Sequence, residues 1–294
     1  MTAVAAVPRR LPAWLKQEIP DNATLKILQL LSERNINTVC QQAHCPNLSR
    51  CFKSGRLTFL ILGRKCSRNC FFCAVEKSRG VNLGVDHLEP ERIAAAVESL
   101  ALNYAVVTSV TRDDLADAGA GQFARTVEAI RGLGRDIKVE ILIPDFNASL
   151  ASLKTVVTVG PAVIGHNIET VERLHPELKP GCSYRISLKV LSTVKEINPA
   201  MITKSSLLLG LGEEKEEVIL ALKDLRRAGC DIVTLGQYLS PGREQYPVRK
   251  FITPATFGIY RETALALGFR AAIAGPLVRS SYRAEKLYEE ALYA

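Results

Sequence analysis

The sequence predicts an α/β fold, a partial (β/α)6 TIM-like barrel with an extension at each end. Six apolar runs of strand length are separated by segments of helix length. The runs are continuously apolar rather than alternating, which is typical of parallel strands covered on both faces. Six units fall short of the eight in a closed barrel. With 294 residues, 47% of them hydrophobic, the chain has ample material for such a core.

The predicted elements follow one another in a regular order. The first strand is Leu57 to Leu62, and the others are Tyr104 to Val110, Lys138 to Ile143, Ala162 to Ile168, Ser206 to Leu211 and Ile232 to Leu239. Helices are expected to begin near Glu89, Gly121, Asn147, Ser187, Glu213 and Thr253. We therefore divide the chain into an N-terminal extension (1–55), the barrel (56–268) and a C-terminal extension (269–294).

The apolar runs are too short for a membrane protein. The longest, 57–63 and 271–278, fall far below the roughly 20 residues that span a bilayer. Met1 to Val7 has no basic flank ahead of its short apolar stretch, as a secretory signal would. We expect a cytoplasmic protein without membrane contact.

Cysteine is the unusual residue type, because six of the eight cysteines fall between Cys40 and Cys73. A disulfide scaffold is normally short, secreted and poor in core, unlike this chain. Zinc sites usually show CxxC pairs with histidines, and the only histidine nearby is His44. Iron–sulfur clusters instead bind several thiolates at flexible spacing. Clusters are therefore favoured over zinc, and the isolated Cys182 and Cys230 are expected to be structural or surface residues.

The six cysteines form two triplets, Cys40, Cys45 and Cys51, then Cys66, Cys70 and Cys73. Three thiolates bind three corners of a four-iron cube and leave one iron open to a small molecule. An open metal position indicates catalysis, as it does in zinc enzymes. The second triplet also follows the first predicted strand, where α/β folds place ligands.

Basic residues concentrate around the cysteines in a chain with a formal net charge of +8. Between residues 50 and 79 there is one acidic residue, Glu76, and eight basic ones: Arg50, Lys53, Arg56, Arg64, Lys65, Arg68, Lys77 and Arg79. We name these eight the basic run. It fits a solvated face, attraction of an acidic protein or of nucleic acid, or balancing of anionic clusters.

The CxxxCxxC loop, with aromatic Phe72 before its third cysteine, resembles that of the radical S-adenosylmethionine enzymes. From about Trp14 onward the chain is similar to one family among them, the lipoyl synthases. The segments that carry this resemblance are the first cysteine triplet, Thr108 to Val110 with Arg112 to Leu115, Pro144 to Phe146, His166 and Asn167, Thr203 to Ser205, Gly210 to Glu213, Thr234 to Tyr238, and Arg279 to Tyr282.

The resemblance implies two [4Fe–4S] clusters. The cluster on the second triplet would bind S-adenosylmethionine and give a 5′-deoxyadenosyl radical. The first triplet, with Ser281 as fourth ligand, would hold an auxiliary cluster that donates sulfur. An oxygen ligand matches a soft cluster poorly, which suits a labile corner. The implied reaction is a sulfurtransferase step at C6 and C8 of an octanoyl-lysine, consuming two S-adenosylmethionine molecules.

The resemblance also implies partners and cofactor contacts. The partners are octanoylated lipoyl carrier domains (2-oxoacid dehydrogenase E2 subunits and glycine cleavage H protein) and an electron donor such as ferredoxin or flavodoxin, with no nucleic acid. Such carriers are generally acidic, which gives the basic run a docking role. The residues expected to bind S-adenosylmethionine are Phe72, Asp117, Gly119, His166, Asn167, Gly210 and Glu213. Alternatively, His166 and Asn167 satisfy loop backbone groups, and Arg112, Asp113 and Asp114 form a solvated, capped loop.

Two other functions are consistent with the residues themselves. One is a different sulfur-inserting radical enzyme that acts on nucleic acid, and the other is a zinc- or cluster-bearing binding module without turnover. Iron content tests the two enzymes, because they require about eight irons per chain, and zinc without iron would exclude both.

Overall fold

A computed structural model describes residues 11–78 and 84–294. Two features of the sequence lie outside the described residues: the stretch Met1 to Val7, in which no secretory signal is expected, and Arg79 of the basic run. The described residues contain one eight-stranded sheet with the strands in sequence order. The strands are β1 (Asn37–Thr38), β2 (Thr58–Ile61), β3 (Tyr104–Ser109), β4 (Lys138–Leu142), β5 (Val163–Gly165), β6 (Ile202–Leu209), β7 (Ile232–Gln237) and β8 (Ala271–Gly275).

The predicted partial barrel is confirmed. All six predicted strands are present and pair in parallel, from β2 beside β3 to β6 beside β7. Two strands were not predicted. β1 pairs antiparallel with β2, and β8 adds a seventh parallel strand beside β7, so part of the expected C-terminal extension belongs to the sheet. Among the described residues β1 and β8 are the two edges, and the barrel is open between them.

Helices precede, connect and follow the strands. They are α1 (Asn22–Glu33), α2 (Val39–Gln42), α3 (Leu48–Lys53), α4 (Glu89–Ser99), α5 (Ala120–Arg131), α6 (Leu150–Thr158), α7 (His175–Leu178), α8 (Tyr184–Ile197), α9 (Lys215–Arg227), α10 (Pro254–Ala266) and α11 (Ala284–Leu292), with 3-10 turns at Ala13–Leu15, Phe146–Ala148 and Glu172–Leu174. Local sequence explains several beginnings. Asp21, Ser149 and Thr253 accept hydrogen bonds from backbone N–H groups of the first turn, and Glu214 forms a capping box with Glu217.

A buried ion pair crosses the interior of the curved sheet near the amino ends of the strands. Lys204 Nζ of β6 lies 2.8 Å from Glu140 Oε1 of β4, and both side chains are at most 2% exposed. The Tyr104 hydroxyl of β3 donates to the other Glu140 oxygen at 2.8 Å, and its ring packs against Tyr288 of α11. The cluster therefore pairs the two buried charges inside the barrel. A separate finding concerns the helices: within residues 11–78 and 84–294, none combines the length and the apolar composition that a membrane span requires.

Candidate active site with two thiol-lined cavities

The second cysteine triplet lies in the loop that leaves β2. Cys66, Cys70 and Cys73 line a cavity of about 220 Å³ at the carboxyl ends of the strands, which we name the loop cavity. Phe72, His166 and Asn167, all expected near a cofactor, line the same cavity. The structure therefore brings together these six residues from two distant parts of the chain.

Arg68 belongs to the loop with the second triplet and connects this loop to the barrel through hydrogen bonds. Its guanidinium donates to Asp113 Oδ1 at 2.7 Å and to Asp145 Oδ1 at 3.2 Å, at the ends of β3 and β4. The Arg68 hydrogen bonds hold the pKa of the Asp113 carboxyl below its ordinary value. Arg68 is therefore an internal anchor of the loop and not part of a docking surface.

Cys182 was expected to be a structural or surface residue, but it lines the loop cavity. A hydrogen bond with the Cys70 thiol lowers the pKa of Cys182. The Cys182 sulfur also accepts a hydrogen bond from the Arg68 guanidinium at 3.0 Å. Sequence spacing gave no sign of this, because the two cysteines are 112 positions apart (182 − 70). Cys230 is buried, as expected, and its thiol donates to the Ile232 carbonyl oxygen.

The first triplet lines a second cavity of about 230 Å³, which we name the auxiliary cavity. Cys40 is on α2, Cys51 is on α3, and Cys45 lies between these helices. Burial raises the pKa of Cys40 to about 12, with the neighbouring Cys45 and Cys51 thiols adding to the effect. A thiol in such a place becomes a thiolate when it binds metal.

Ser281 lines this auxiliary cavity with the three cysteines. The Thr58 hydroxyl of β2 donates a 2.7 Å hydrogen bond to the Ser281 hydroxyl. Upstream, the segment that carries Ser281 lies against β7, where a Cβ on Gly236 would come within 1.9 Å of the Val278 carbonyl oxygen. Glycine is therefore required at position 236 for the C-terminal segment to approach the sheet this closely.

A third cavity, of about 230 Å³, lies between the two triplets. Cys40, Cys45 and Ser281 border it on one side and Cys73 on the other, and its walls include Phe72, Leu142, Leu208 and Tyr238. We name it the joining cavity. Arg279 also borders it, and burial lowers the pKa of that guanidinium while the Cys45 thiol and Glu169 partly offset the effect.

Four residues expected to bind S-adenosylmethionine lie outside these three cavities. Asp117 accepts hydrogen bonds from the N–H groups of Gly119 and Gly121, at 2.9 and 2.8 Å, and so braces the turn before α5. Likewise Glu213 accepts from the N–H of Gly210 at 2.6 Å. In the described chain none of Asp117, Gly119, Gly210 and Glu213 lines the loop, auxiliary or joining cavity.

The basic run is partly neutralised by the N-terminal segment. Arg50 lies 2.9 Å from Glu18, and Lys53 lies 3.6 Å from Glu18 and 3.4 Å from Asp21. Lys65 pairs with Glu76 at 3.5 Å. Arg56 and Arg64 are exposed and form no ion pair within residues 11–78 and 84–294. These two arginines are therefore exposed positive charges that the run offers to a partner.

The donor set of both triplets suits iron–sulfur clusters. All eight cysteines are free thiols. Among the described residues, no three His, Cys, Asp or Glu side chains converge on a point where a single metal ion would bind. A four-iron cube differs from a single ion, because each thiolate binds a different iron and the thiolates therefore surround a cavity. The two triplets have that arrangement.

Comparison with known proteins agrees with this chemistry. The family model described as the Radical SAM superfamily matches residues 60–225. Among solved structures, methylornithine synthase superposes with a TM-score of 0.53 at 14% identity, covering 86% of this chain and 78% of its own. SuiB of Streptococcus suis bound to S-adenosylmethionine gives 0.56 at 14% identity, covering 78% and 53%. The chain belongs to the radical SAM superfamily.

Curated relatives identify the family more closely. The lipoyl synthase of Geotalea daltonii is 50% identical over 276 residues, which cover 94% of this chain and 93% of the relative. That of Caldicellulosiruptor bescii is 49% identical over 275 residues, covering 93% and 94%. Within the superfamily, the chain belongs to the lipoyl synthase family.

Proposed function

We propose that this chain inserts two sulfur atoms at C6 and C8 of an octanoyl group amide-linked to a lysine of a lipoyl carrier domain, giving lipoyl-lysine. The observation that carries the proposal is the meeting of Ser281 with the first cysteine triplet in one cavity, beside the cavity of the second triplet. Two distant segments of the chain must fold together to place Ser281 beside the first triplet. A binding module without turnover does not require this arrangement.

The proposal assigns each triplet one role. When bound, the cluster at the second triplet supplies the 5′-deoxyadenosyl radical from S-adenosylmethionine, and the cluster at the first triplet supplies sulfur. Cys66, Cys70 and Cys73 hold the former. Cys40, Cys45, Cys51 and Ser281 hold the latter. The unactivated C–H bonds of an octanoyl chain are beyond acid, base or nucleophilic side chains, so this chain's residues bind, orient and shield.

The joining cavity is the proposed place of the octanoyl chain. Its walls include the apolar side chains of Phe72, Leu142 and Leu208, which exclude water and fit an alkyl group. It touches cysteines of both triplets, so an acyl chain there lies between the radical source and the sulfur source. The Arg279 guanidinium places a positive charge beside Cys45, which favours an anionic cluster.

Among the residues expected to contact S-adenosylmethionine, those on the loop cavity are Phe72, His166 and Asn167. We retain Asp117, Gly119, Gly210 and Glu213 as proposed contacts, acting through the backbone turns that their hydrogen bonds shape. The three proposed sections of chain are likewise retained: 1–55 for the auxiliary ligands, 56–268 for the barrel and 269–294 for Ser281. β8 joins the last section to the sheet.

The proposed partners are the octanoylated carrier domains of 2-oxoacid dehydrogenase E2 subunits and glycine cleavage H protein, with a ferredoxin or flavodoxin as electron donor. Two oxygen-sensitive clusters require reducing surroundings, so we place the reaction in the cytoplasm. The exposed Arg56 and Arg64 support docking of an acidic carrier. Charge reversal at both should weaken carrier binding at low salt, whereas reversal of Arg50, already paired with Glu18, should change it less.

The test of the function is an anaerobic reaction. Reconstituted protein is incubated with S-adenosylmethionine, a low-potential reductant and an octanoyl-lysine peptide, and the dithiol product and 5′-deoxyadenosine are measured together. Ser281→Ala and Cys45→Ala should abolish sulfur insertion and leave 5′-deoxyadenosine formation. Cys230→Ala removes a buried thiol outside all three cavities and serves as the matched control. Sulfur insertion by the first two variants would contradict the proposal.

A further inference from the structure

One large apolar side chain in the loop of the second triplet faces solvent. Phe71 is 44% exposed, and it directly follows Cys70 in the chain. Its N–H donates to the Leu178 carbonyl oxygen at 3.0 Å, and its own carbonyl oxygen accepts from the Tyr246 N–H at 2.8 Å. None of the other exposed large apolar residues in the described ranges adjoins a cysteine of either triplet. Phe71 is therefore a fixed apolar contact point one residue away from a proposed cluster ligand.

The segment that holds Phe71 on one side is the connection between β7 and α10, residues 238–253, which we name the strap. The Tyr238 hydroxyl donates to the Tyr246 carbonyl oxygen at 2.7 Å. Further along, the Gln237 side-chain amide donates to the Lys250 carbonyl oxygen at 3.0 Å, and its oxygen accepts from the Ile252 N–H at 2.7 Å. The strap is therefore fixed at several points, and the surface it forms with Phe71 is preformed.

The strap is positively charged. Its basic residues, Arg243, Arg249 and Lys250, are all exposed, and its one acidic residue is Glu244. Within residues 11–78 and 84–294 none of the three cations forms an ion pair. The Arg249 guanidinium lies over the Tyr246 ring, 5.1 Å from its centroid. An exposed aromatic side chain beside unpaired cations is typical of a protein-binding surface, and it fits a partner with an excess of negative charge.

The proposed reaction requires such a partner, because each cleavage of S-adenosylmethionine consumes one electron. Electron transfer slows steeply with distance, so the donor must approach where the loop of the second triplet reaches the surface. We propose that Phe71 and the strap form the docking surface of a small acidic one-electron donor protein, separate from the carrier surface at Arg56 and Arg64. One electron passes from the donor, which is oxidised, to the cluster, which is reduced, and no bond forms or breaks. The inference rests on the proposed function for the need of an electron.

The test compares a protein reductant with a small one. Reconstituted holoprotein is reduced with flavodoxin or with dithionite, which needs no docking surface, and 5′-deoxyadenosine is measured. The dissociation constants of flavodoxin and of an octanoylated carrier domain are measured in parallel. Phe71→Ala removes the apolar contact, and Arg249→Glu reverses one charge of the strap. Leu150→Ala and Lys154→Glu are the matched controls, because both residues are exposed on α6. Iron per chain is recorded for every variant.

Phe71→Ala should weaken flavodoxin binding roughly 10-fold, as expected for loss of an aromatic anchor. Arg249→Glu should weaken it at low salt, and the loss should shrink as salt is raised. Both variants should keep dithionite-driven cleavage and carrier binding within about twofold of wild type, and the α6 controls should change nothing.

Three results would overturn the inference. They are unchanged flavodoxin binding, equal slowing with flavodoxin and dithionite, which would show that Phe71 only shapes the loop, and weakened carrier binding, which would assign the surface to the carrier. A separate result concerns the function. If wild-type holoprotein fails to cleave S-adenosylmethionine even with dithionite, the proposed function itself is wrong.

Discussion

The hydrogen bond between Thr58 and Ser281 sets how firmly the C-terminal serine is held at the auxiliary cavity. Thr58 is 2% exposed, and its hydroxyl lies 2.7 Å from the Ser281 oxygen. Thr58→Val removes the donor and nearly preserves the shape of the side chain. A buried neutral hydrogen bond contributes about 1 kcal/mol net, which is about a fivefold change in an equilibrium constant. The equilibrium between the held and the displaced position of Ser281 should therefore shift about fivefold toward the displaced one.

The assay is release of iron from holoprotein to a ferrous chelator, with the reductive cleavage of S-adenosylmethionine as an independent report on the other cluster. Thr58→Val should release the auxiliary iron about fivefold faster and leave cleavage unchanged. Thr126→Val is the matched control, because Thr126 is buried in α5 and also donates a 2.7 Å hydrogen bond, to the Gln122 carbonyl oxygen. If both variants release iron at the same rate, Thr58 contributes general stability and the reasoning is refuted.

Three further outcomes follow from the fold. Lys204→Met leaves the Glu140 carboxylate buried without its cation, so the free energy of unfolding in urea should fall by roughly 3–5 kcal/mol. Adding Glu140→Leu removes the unpaired charge and should recover most of the lost stability. An equal loss in the double variant would contradict this explanation. Burial holds the pKa of His175 at about 4, below its ordinary 6.5, so protonation favours the unfolded chain. Stability should therefore be lost as pH falls from 6.5 toward 4, and His175→Leu should flatten the thermal midpoint across that window; an unchanged slope would show that other groups govern it. Gly236→Ala places a Cβ 1.9 Å from the Val278 carbonyl oxygen and displaces the segment before Ser281, so iron should fall from about eight to about four per chain; a full complement would show that the segment adapts.

The features that the sequence predicted correctly are those that depend on the pattern of neighbouring residues. The six buried strands were predicted because a continuous apolar run is a property of neighbouring residues. β8 was missed because Ala271–Gly275 consists mostly of small residues and was placed in the extension. β6 begins at Ile202 instead of Ser206, because buried polar residues, Lys204 among them, interrupt its apolar pattern.

Site residues divide in the same way. Both cysteine triplets were proposed as cluster ligands from their spacing, and Ser281 from resemblance. Arg68 and Cys182 were not expected at the loop cavity, because they reach it only when the strand ends meet. Arginine in a basic run is an ordinary surface pattern. What distinguishes Arg68 is its hydrogen bonds to Asp113 and Asp145, and these are a property of the fold.

The position of Ser281 after the last strand of the sheet has a consequence for biosynthesis. The second cysteine triplet follows β2, so those thiols leave the ribosome before most of the barrel has been made. Ser281 follows β8 and emerges only after all eight strands. If Ser281 is the fourth ligand as proposed, the sulfur-donating cluster is completed only once the whole sheet has been synthesised. A chain interrupted between β8 and Ser281 would then generate radicals but have no sulfur to deliver.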